Sequence, residues 1–193
     1  MSGFLKTLKV FLLLFVITGV IYPLLTTGIA SFMFREKTKG SIIYYKGKPV
    51  GSELIGQPFI SDYLFWGRPS ADNYDPLNSG GSNLAPTNPE LYKQIKARIE
   101  RLRNSGIKEK ISSYLVFSSG SGLDPHLPPE ALLIQIPRIS ERTGLSKDEL
   151  ERLVIKNTEE RSFGFFGERR VNVLKLNLDL LSLLESHGNR RLP

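Results

Sequence analysis

Three residue types used in hydrolytic catalysis lie in one short tract: Ser121, Asp124 and His126. In a catalytic triad a serine attacks the substrate, a histidine takes its proton and an aspartate orients the histidine. This tract lacks the nucleophile-elbow pattern, and nearness in sequence is not the spatial relation that a triad requires. A hydrolase is therefore an alternative for this chain and not the favoured interpretation.

The remaining residues exclude several other classes of site. The chain has no cysteine, which excludes thiolate chemistry and sulfur-ligated zinc. Its two histidines, His126 and His187, are far apart, and neither has a second ligand at metal-binding spacing. Neither a phosphate loop ending in Gly-Lys-Ser/Thr nor a phosphorylated Asp-Lys-Thr-Gly pattern is present. We therefore expect no catalytic residue, no cofactor-binding residue, no metal ligand and no ATP hydrolysis by this chain alone.

Residues 67–83 form a long segment dense in turn formers, and it contains Ser79-Gly80-Gly81-Ser82. That tetrapeptide is similar to the signature loop that touches nucleotide in ABC-type ATPases, but a glycine-rich turn explains it better. Aromatic residues interleaved with the polar ones predict an ordered loop packed by its own side chains. A ligand-binding module that uses loop 74–83 remains a second alternative.

The elements that must position these residues begin with an apolar segment. Residues 10–34 carry no charge and are long enough to cross a hydrocarbon core of about 30 Å as a helix. A cleaved signal peptide is the alternative, but the apolar run exceeds the usual signal core of about 7 to 15 residues. We therefore predict a short N-terminus at 1–9, a transmembrane helix at 10–34 and a soluble domain at 35–193.

Within this segment Pro23 predicts a kink or a free carbonyl, which bilayers tolerate where neighbouring helices or local side chains satisfy the backbone. Thr26, Thr27 and Gly28 follow it, and small or hydroxylated residues often mark helix contacts in membranes. We expect Tyr22, Pro23 and Thr27 to contact partner helices.

The formal net charge is +7, and part of the excess flanks the apolar segment. Cations in those positions meet lipid phosphates, so the distribution favours a membrane over nucleic acid as the partner. Both flanks are basic, so the positive-inside rule does not decide the orientation. The flanking cations are Lys6, Lys9, Arg35, Lys37 and Lys39.

After the apolar segment, β-branched and aromatic residues at 42–45 and a turn at 46–48 predict a short hairpin. Apolar residues at 171–178 predict a strand, and those at 180–184 predict a short C-terminal helix. Because the strands are few and short, the predicted class is α+β, a single N-terminal transmembrane helix followed by helices packed on a small β-sheet.

Three helices are predicted between these strands. Asn88 caps the first, Pro129 begins a second that Pro137 kinks, and Ser146 with Glu149 forms a capping box for the third. One face of the first helix is basic. We interpret it as a solvated surface, with a docking face as the alternative. That face carries Lys93, Lys96, Arg98, Arg101 and Arg103.

The order of these segments resembles the C subunit of Kdp-type potassium-transporting P-type ATPases over nearly the whole chain. The segments that carry the resemblance are Tyr22-Pro23-Leu24 and residues 51–57 (GSELIGQ), 67–71 (GRPSA), 79–84 (SGGSNL), 88–91 (NPEL), 121–125 (SGLDP), 135–138 (QIPR) and 171–177 (VNVLKLN).

The resemblance implies a non-catalytic accessory subunit of an ATP-driven potassium uptake complex. Its partners would be a potassium-selecting A subunit, an ATP-hydrolysing B subunit and a small F subunit, and ATP would act at the B subunit. The family is described as a catalytic chaperone that raises the ATP affinity of the B subunit. The N-terminus would be cytoplasmic and the domain extracytoplasmic, in the cell membrane. Candidate partner contacts in the loop region are Arg68, Asn83 and Asn88.

Three phenylalanines, Phe163, Phe165 and Phe166, lie between small and charged residues near the C-terminal strand. If they are exposed they indicate an interface, and if they are buried they belong to the core. The sequence leaves both possibilities open.

Overall fold

The computed structural model describes residues 2–188. The chain divides into two compact units, Met1–Ile42 and Ile43–Pro193. The first is mainly an apolar helix, and the second contains helices with short strands in small antiparallel sheets. This confirms the predicted α+β class.

The first unit is helical from Ser2 to Met33, as α1 (Ser2–Val16), a π-helical turn (Ile17–Ile21) and α2 (Tyr22–Met33). The helix thus begins before residue 10, and a short α3 (Arg35–Thr38) follows it. Of the described helices one, Gly3–Met33, is long and apolar enough to cross a membrane.

Pro23 predicted a kink or a free carbonyl, and the structure has a π-helical turn just before it. Proline has no N–H for a bond to the preceding turn, and the backbone N–H of Tyr22 bonds instead to the carbonyl of Ile17, five residues back. The Thr26 hydroxyl donates to the carbonyl oxygens of Tyr22 at 2.9 Å and Pro23 at 3.0 Å. The N–H of Tyr22 and the hydroxyl of Thr26 are therefore both bonded within the helix beside the proline.

The predicted hairpin is confirmed as β1 (Ile42–Tyr45) and β2 (Lys48–Ser52). Lys46 and Gly47 join the strands, and both have positive φ angles, of 50° and 76°. Two such residues form the tight turn whose twist matches that of paired antiparallel strands.

A second sheet has the strand order β3-β5-β4, with both pairs antiparallel. It consists of β3 (His126–Leu127), β4 (Thr158–Glu159) and β5 (Arg170–Asn172). Its central strand places Val171 opposite Leu127 on one side and Thr158 on the other, and Val171 is fully buried.

The helices of the second unit are α4 (Pro89–Asn104), α5 (Pro129–Leu133), α6 (Ile136–Thr143), α7 (Lys147–Lys156) and α8 (Val173–Ser186). The predicted caps are confirmed: the Asn88 side chain accepts from the N–H of Glu90 at 2.9 Å, and Ser146 with Glu149 forms the capping box. The predicted kink near Pro137 is a break between α5 and α6.

The strand predicted over residues 171–178 is wrong beyond Asn172, where α8 begins. The Asn172 side chain accepts from the N–H of Lys175 at 3.2 Å, so it caps the helix. Leu176, Leu180 and Leu184 then face the core at helical spacing. The alternating apolar residues were compatible with a strand, but the cap and the longer helical period decide the structure.

The core contains a short segment, Phe65 and Trp66, whose backbone lies outside any strand or helix. The Asn177 side chain accepts from the N–H of Phe65 at 2.8 Å and donates to its carbonyl at 2.9 Å. The Gln135 side chain does the same for Trp66, at 2.8 and 3.1 Å. We call these four bonds the amide clamp. They replace the bonds that a sheet partner would supply to a buried backbone.

Arg138 holds the same segment from α6. Its guanidinium donates to the carbonyl oxygens of Asp62 and Leu64 and to the side chain of Gln135, and it lies 4.1 Å from the ring centre of Trp66. Burial lowers the pKa of Arg138 to about 10, so the cation persists at neutral pH.

Replacing Gln135 by leucine is expected to lower the free energy of unfolding by about 3 kcal/mol, because it leaves the buried N–H and carbonyl of Trp66 unpaired. The measurement is denaturant unfolding of the full chain in detergent, followed by the fluorescence of Trp66, the sole tryptophan. Gln94→Leu is the control, since the Gln94 amide lies 3.5 Å from its two side-chain partners on α4. Equal stability of the two variants would contradict the role of the clamp.

Candidate functional site

Two glycine- and serine-rich tracts that are far apart in the sequence meet in the fold. The Ser79 hydroxyl donates to the carbonyl of Ser121 at 3.0 Å. Gly122 has a φ of +68°, and a Cβ there would lie 2.7 Å from the carbonyl oxygen of Gly80. Glycine is required at this point by both its backbone conformation and the close approach of the other tract. The tetrapeptide at 79–82 is thus an irregular segment packed on a second loop, and the turn predicted for it is not formed.

The segment at 51–57 reaches the same place. The N–H of Gly56 donates to the carbonyl of Leu123 at 2.7 Å, and a Cβ on Gly56 would lie 2.8 Å from the carbonyl oxygen of Asp124. Several segments that carry the family resemblance therefore converge through backbone contacts that larger side chains would prevent.

Asp124 organises the polar side of this convergence. One of its oxygens accepts from the Arg68 guanidinium at 3.0 Å, and the other accepts from the backbone N–H of His126 at 3.0 Å. Burial acts to raise the pKa of Asp124, but the hydrogen bonds from His126 and Arg68 outweigh it and lower the pKa. The carboxylate is consequently ionised and paired at neutral pH.

This geometry does not support the hydrolase alternative. The Ser121 side chain accepts from the N–H of Leu123 at 3.1 Å and lies 3.4 Å from the Ser119 hydroxyl. Among residues 2–188 no hydrogen bond joins Ser121 to His126, as a serine–histidine pair requires. Within the same range no group of three or more histidine or carboxylate side chains is arranged to hold a metal ion.

The six predicted partner contacts occupy different places. Tyr22, Pro23 and Thr27 are exposed on the apolar helix of the first unit. In the second unit Arg68 is half-buried, and its guanidinium lies 5.0 Å from the ring centre of Tyr114. Asn88 caps α4. Asn83 is exposed and has a φ of 51°. Arg68 and Asn88 thus have structural roles, and contact with a partner stays a prediction for all six.

The first prediction for the basic face of α4, a solvated surface, holds only in part. Arg98 donates to the carbonyl of Val116 at 2.7 Å, and Arg103 donates to the carbonyls of Ile107 and Glu109 at 3.0 and 2.9 Å. Arg101 lies 4.2 Å from the ring centre of Trp66. Three of its five cations therefore bind the loops that surround the helix.

The three phenylalanines are exposed, which decides the question that the sequence left open. Residues 162–166 form a small hairpin, in which the N–H of Ser162 donates to the carbonyl of Phe166 at 2.9 Å. Phe163, Phe165 and Phe166 are 88%, 66% and 61% exposed. We call these three residues the phenylalanine hairpin. Aromatic rings this exposed indicate an interaction surface.

Comparison with known protein families matches residues 4–182 to the model of the K+-transporting ATPase C chain. The match covers the apolar helix, the converging loops and most of α8. The chain belongs to this family. It is therefore a C-type subunit of a potassium-transporting ATPase complex, and the family together with the helix at Gly3–Met33 makes it a membrane-anchored protein.

Relatives that match over most of their own length support the same family. The potassium-transporting ATPase KdpC subunit of Caldanaerobacter subterraneus subsp. tengcongensis is 48% identical over 185 residues, covering 94% of this chain and 96% of the relative. The KdpC subunit of Geobacter sulfurreducens is 49% identical, with 88% and 92% covered. That of Clostridium kluyveri is 44% identical, with 93% and 95% covered.

The lowered pKa of Asp124 predicts a pH dependence of stability. The paired carboxylate stabilises the fold by about 1 kcal/mol at neutral pH, and this contribution is lost as the pH falls through the folded-state pKa. Asp124→Asn should therefore be less stable than the unmodified chain at pH 7, and the difference should narrow below about pH 4.

The check is a series of Trp66 fluorescence unfolding curves between pH 3 and 7 for both proteins. Asp75→Asn is the control, because the Asp75 carboxylate bonds within its own turn, to the N–H of Leu77 at 2.9 Å. A stability difference for Asp124→Asn that stays constant over this pH range would contradict the charge-based account.

Proposed function

We propose that this chain is a non-catalytic accessory subunit that assembles and stabilises an ATP-driven potassium uptake complex. The observation that carries the proposal is the apolar helix Gly3–Met33, whose most apolar stretch of 18 residues contains no buried residue. A helix of 31 residues extends about 46 Å, more than a hydrocarbon core requires. Such a surface is stable in contact with lipid or with the helices of partner subunits.

The polar groups of this helix support that environment. The hydroxyls of Thr7, Thr18 and Thr26 donate to carbonyls of the preceding turn, at 3.1, 2.8 and 2.9 Å. Hydroxyls bonded in this way do not need water, so the helix surface is compatible with an apolar medium. We place Tyr22, Pro23 and Thr27 at the contact with partner helices, where the π-helical turn gives the helix a distinct shape.

The partners in this proposal are the A, B and F subunits of the Kdp-type complex. The N-terminus lies in the cytoplasm and the second unit outside it. ATP then acts at the B subunit, and no cofactor is assigned to this chain. Any effect on ATP affinity must pass through the membrane subunits as a coupling free energy between two states of the complex. By binding one state more tightly, the chain shifts the population toward the active assembly.

The phenylalanine hairpin is the docking surface that we assign to the second unit. Two arginines beside it are paired, Arg169 with Glu160 at 3.0 Å and Arg170 with Glu159 at 3.0 Å, and Arg161 is balanced in charge by Glu168. The rim is therefore nearly charge-neutral, which gives it little electrostatic attraction to anionic lipid. An apolar tip with a neutral rim fits an apolar groove on a protein subunit, with aromatic residues as the anchors.

The test of the function begins with native membranes solubilised in detergent. A tagged chain is expected to co-purify with a P-type ATPase. Potassium-stimulated hydrolysis by the complex should fall, and its apparent KM for ATP should rise, when the chain is removed. Recovery of the chain without an ATPase would overturn the proposal, and activity unchanged by its removal would limit the role to assembly.

The double variant Phe163→Ser/Phe165→Ser should weaken binding to the complex by about 2 kcal/mol, because exposed aromatic anchors dominate such interfaces. Co-purification and the ATPase assay report the loss, and Trp66 fluorescence checks that the fold is kept. Leu77→Ser is the matched control, since Leu77 is 95% exposed on a different loop. If both variants co-purify equally well, the hairpin is not the docking surface.

A further inference from the structure

We propose that a cleft between α4 and loop 67–74 is a binding site for a small oxyanion, a carboxylate or phosphate group. The cavity there has a volume of about 200 Å³. Its polar lining comes from Ser70, Tyr74, Arg98 and Arg101, and its apolar lining from Phe59, Trp66, Leu102 and Leu115 among others. This site goes beyond the proposed accessory role, which does not require any ligand.

Positive charge without a counter-charge is the first argument. Arg68, Arg142, Arg169 and Arg170 form ion pairs with carboxylates. Arg98 and Arg101 form none with any carboxylate in the described part of the chain. Arg98 is half-buried, so its guanidinium loses hydration that no opposite charge replaces, whereas Arg101 is exposed at the edge of the cleft. An oxyanion in the cleft would supply that charge.

Hydrogen-bond donors are the second argument. The Arg98 guanidinium has five N–H groups, and its acceptors within hydrogen-bond distance are the Val116 carbonyl at 2.7 Å and the Gln94 side chain at 3.5 Å. The Ser70 oxygen accepts from the N–H groups of Asp72 and Tyr74, at 3.1 and 2.9 Å, so those bonds leave its own proton free to donate. Guanidinium and hydroxyl donors on one cavity are suited to a carboxylate or phosphate.

The third argument is that the charged groups converge. Burial raises the pKa of Tyr74, and both Arg101 and Arg98 oppose that rise through their charges. Burial also lowers the pKa of Arg98. The charges of both arginines therefore reach the Tyr74 phenol, which forms one wall of the cleft. Together they make the electrostatic potential inside the cleft positive.

The size of the cleft limits the ligand. Drug-sized ligands occupy pockets of about 300 to 1,000 Å³, and this cleft is smaller. Tyr74 adds an aromatic wall, and the ring of Trp66 lies beneath Arg101. We therefore assign the site to a single phosphate or carboxylate group with a small body, either free in solution or at the head of a lipid.

Trp66 provides the measurement, because the sole tryptophan of the chain lines the cleft. The full chain in detergent is titrated with sodium phosphate, and sodium chloride at equal ionic strength is the control. We expect a saturable change in Trp66 fluorescence with phosphate and none with chloride. A second arm uses short-chain phosphatidylglycerol. A response to phosphate identifies a free anion as sufficient, and a response to the lipid alone assigns the source to a headgroup.

Arg98→Met is expected to weaken binding by about ten-fold or more, and Arg98→Lys by less, because lysine keeps the charge but loses the planar fork. Lys93→Met is the matched control, since Lys93 is exposed on the same helix and does not line the cleft. Arg101→Met tests the second cation without removing the bond to Val116. The absence of a saturable response to either probe, or a response that survives both Arg98→Met and Arg101→Met, would overturn the site.

Discussion

The amide clamp at Phe65 and Trp66 is the constraint on which the second unit depends. These residues bury large aromatic side chains, and burial forces their backbone groups out of water without a strand to bind them. Gln135 from the start of α6 and Asn177 from α8 supply the missing partners. The bonds fix both helices against one segment. The chain that leaves it, residues 67–74, lines the cleft with α4 and carries Arg68, which pairs with Asp124.

Glycines set the second constraint. At Gly56 and Gly122 the backbones of distant loops approach so closely that a Cβ would collide with a carbonyl. The loops therefore form one ordered body without regular secondary structure, held by backbone contacts and by Asp124. Because these contacts join segments that carry the family resemblance, the shared residues largely maintain a shape. That shape holds in place the phenylalanine hairpin and the cleft, the two places to which we assign binding.

In the proposed role the two units act differently. From residue 10 to residue 33 the apolar helix supplies a large surface without charge, which fits lipid and membrane subunits, whereas the second unit offers the small phenylalanine hairpin. The oxyanion cleft is lined by other residues, so a ligand could bind there without covering the hairpin. Neither surface needs a catalytic group, and the hydroxyl, carboxylate and imidazole in the 121–126 tract serve the packing of loops.

The sequence by itself determined the apolar helix, the hairpin, the caps at Asn88 and Ser146 and the α+β class, because these depend on local composition and periodicity. It also determined the family, through motifs spread along the chain. Tertiary structure alone decided that α8 starts at Val173, that Gln135 and Asn177 clamp one segment, and that the arginines of α4 bind loops. It also decided that the phenylalanines are exposed. Those outcomes depend on which distant groups meet, and a buried polar side chain selects its partner only when the chain is folded.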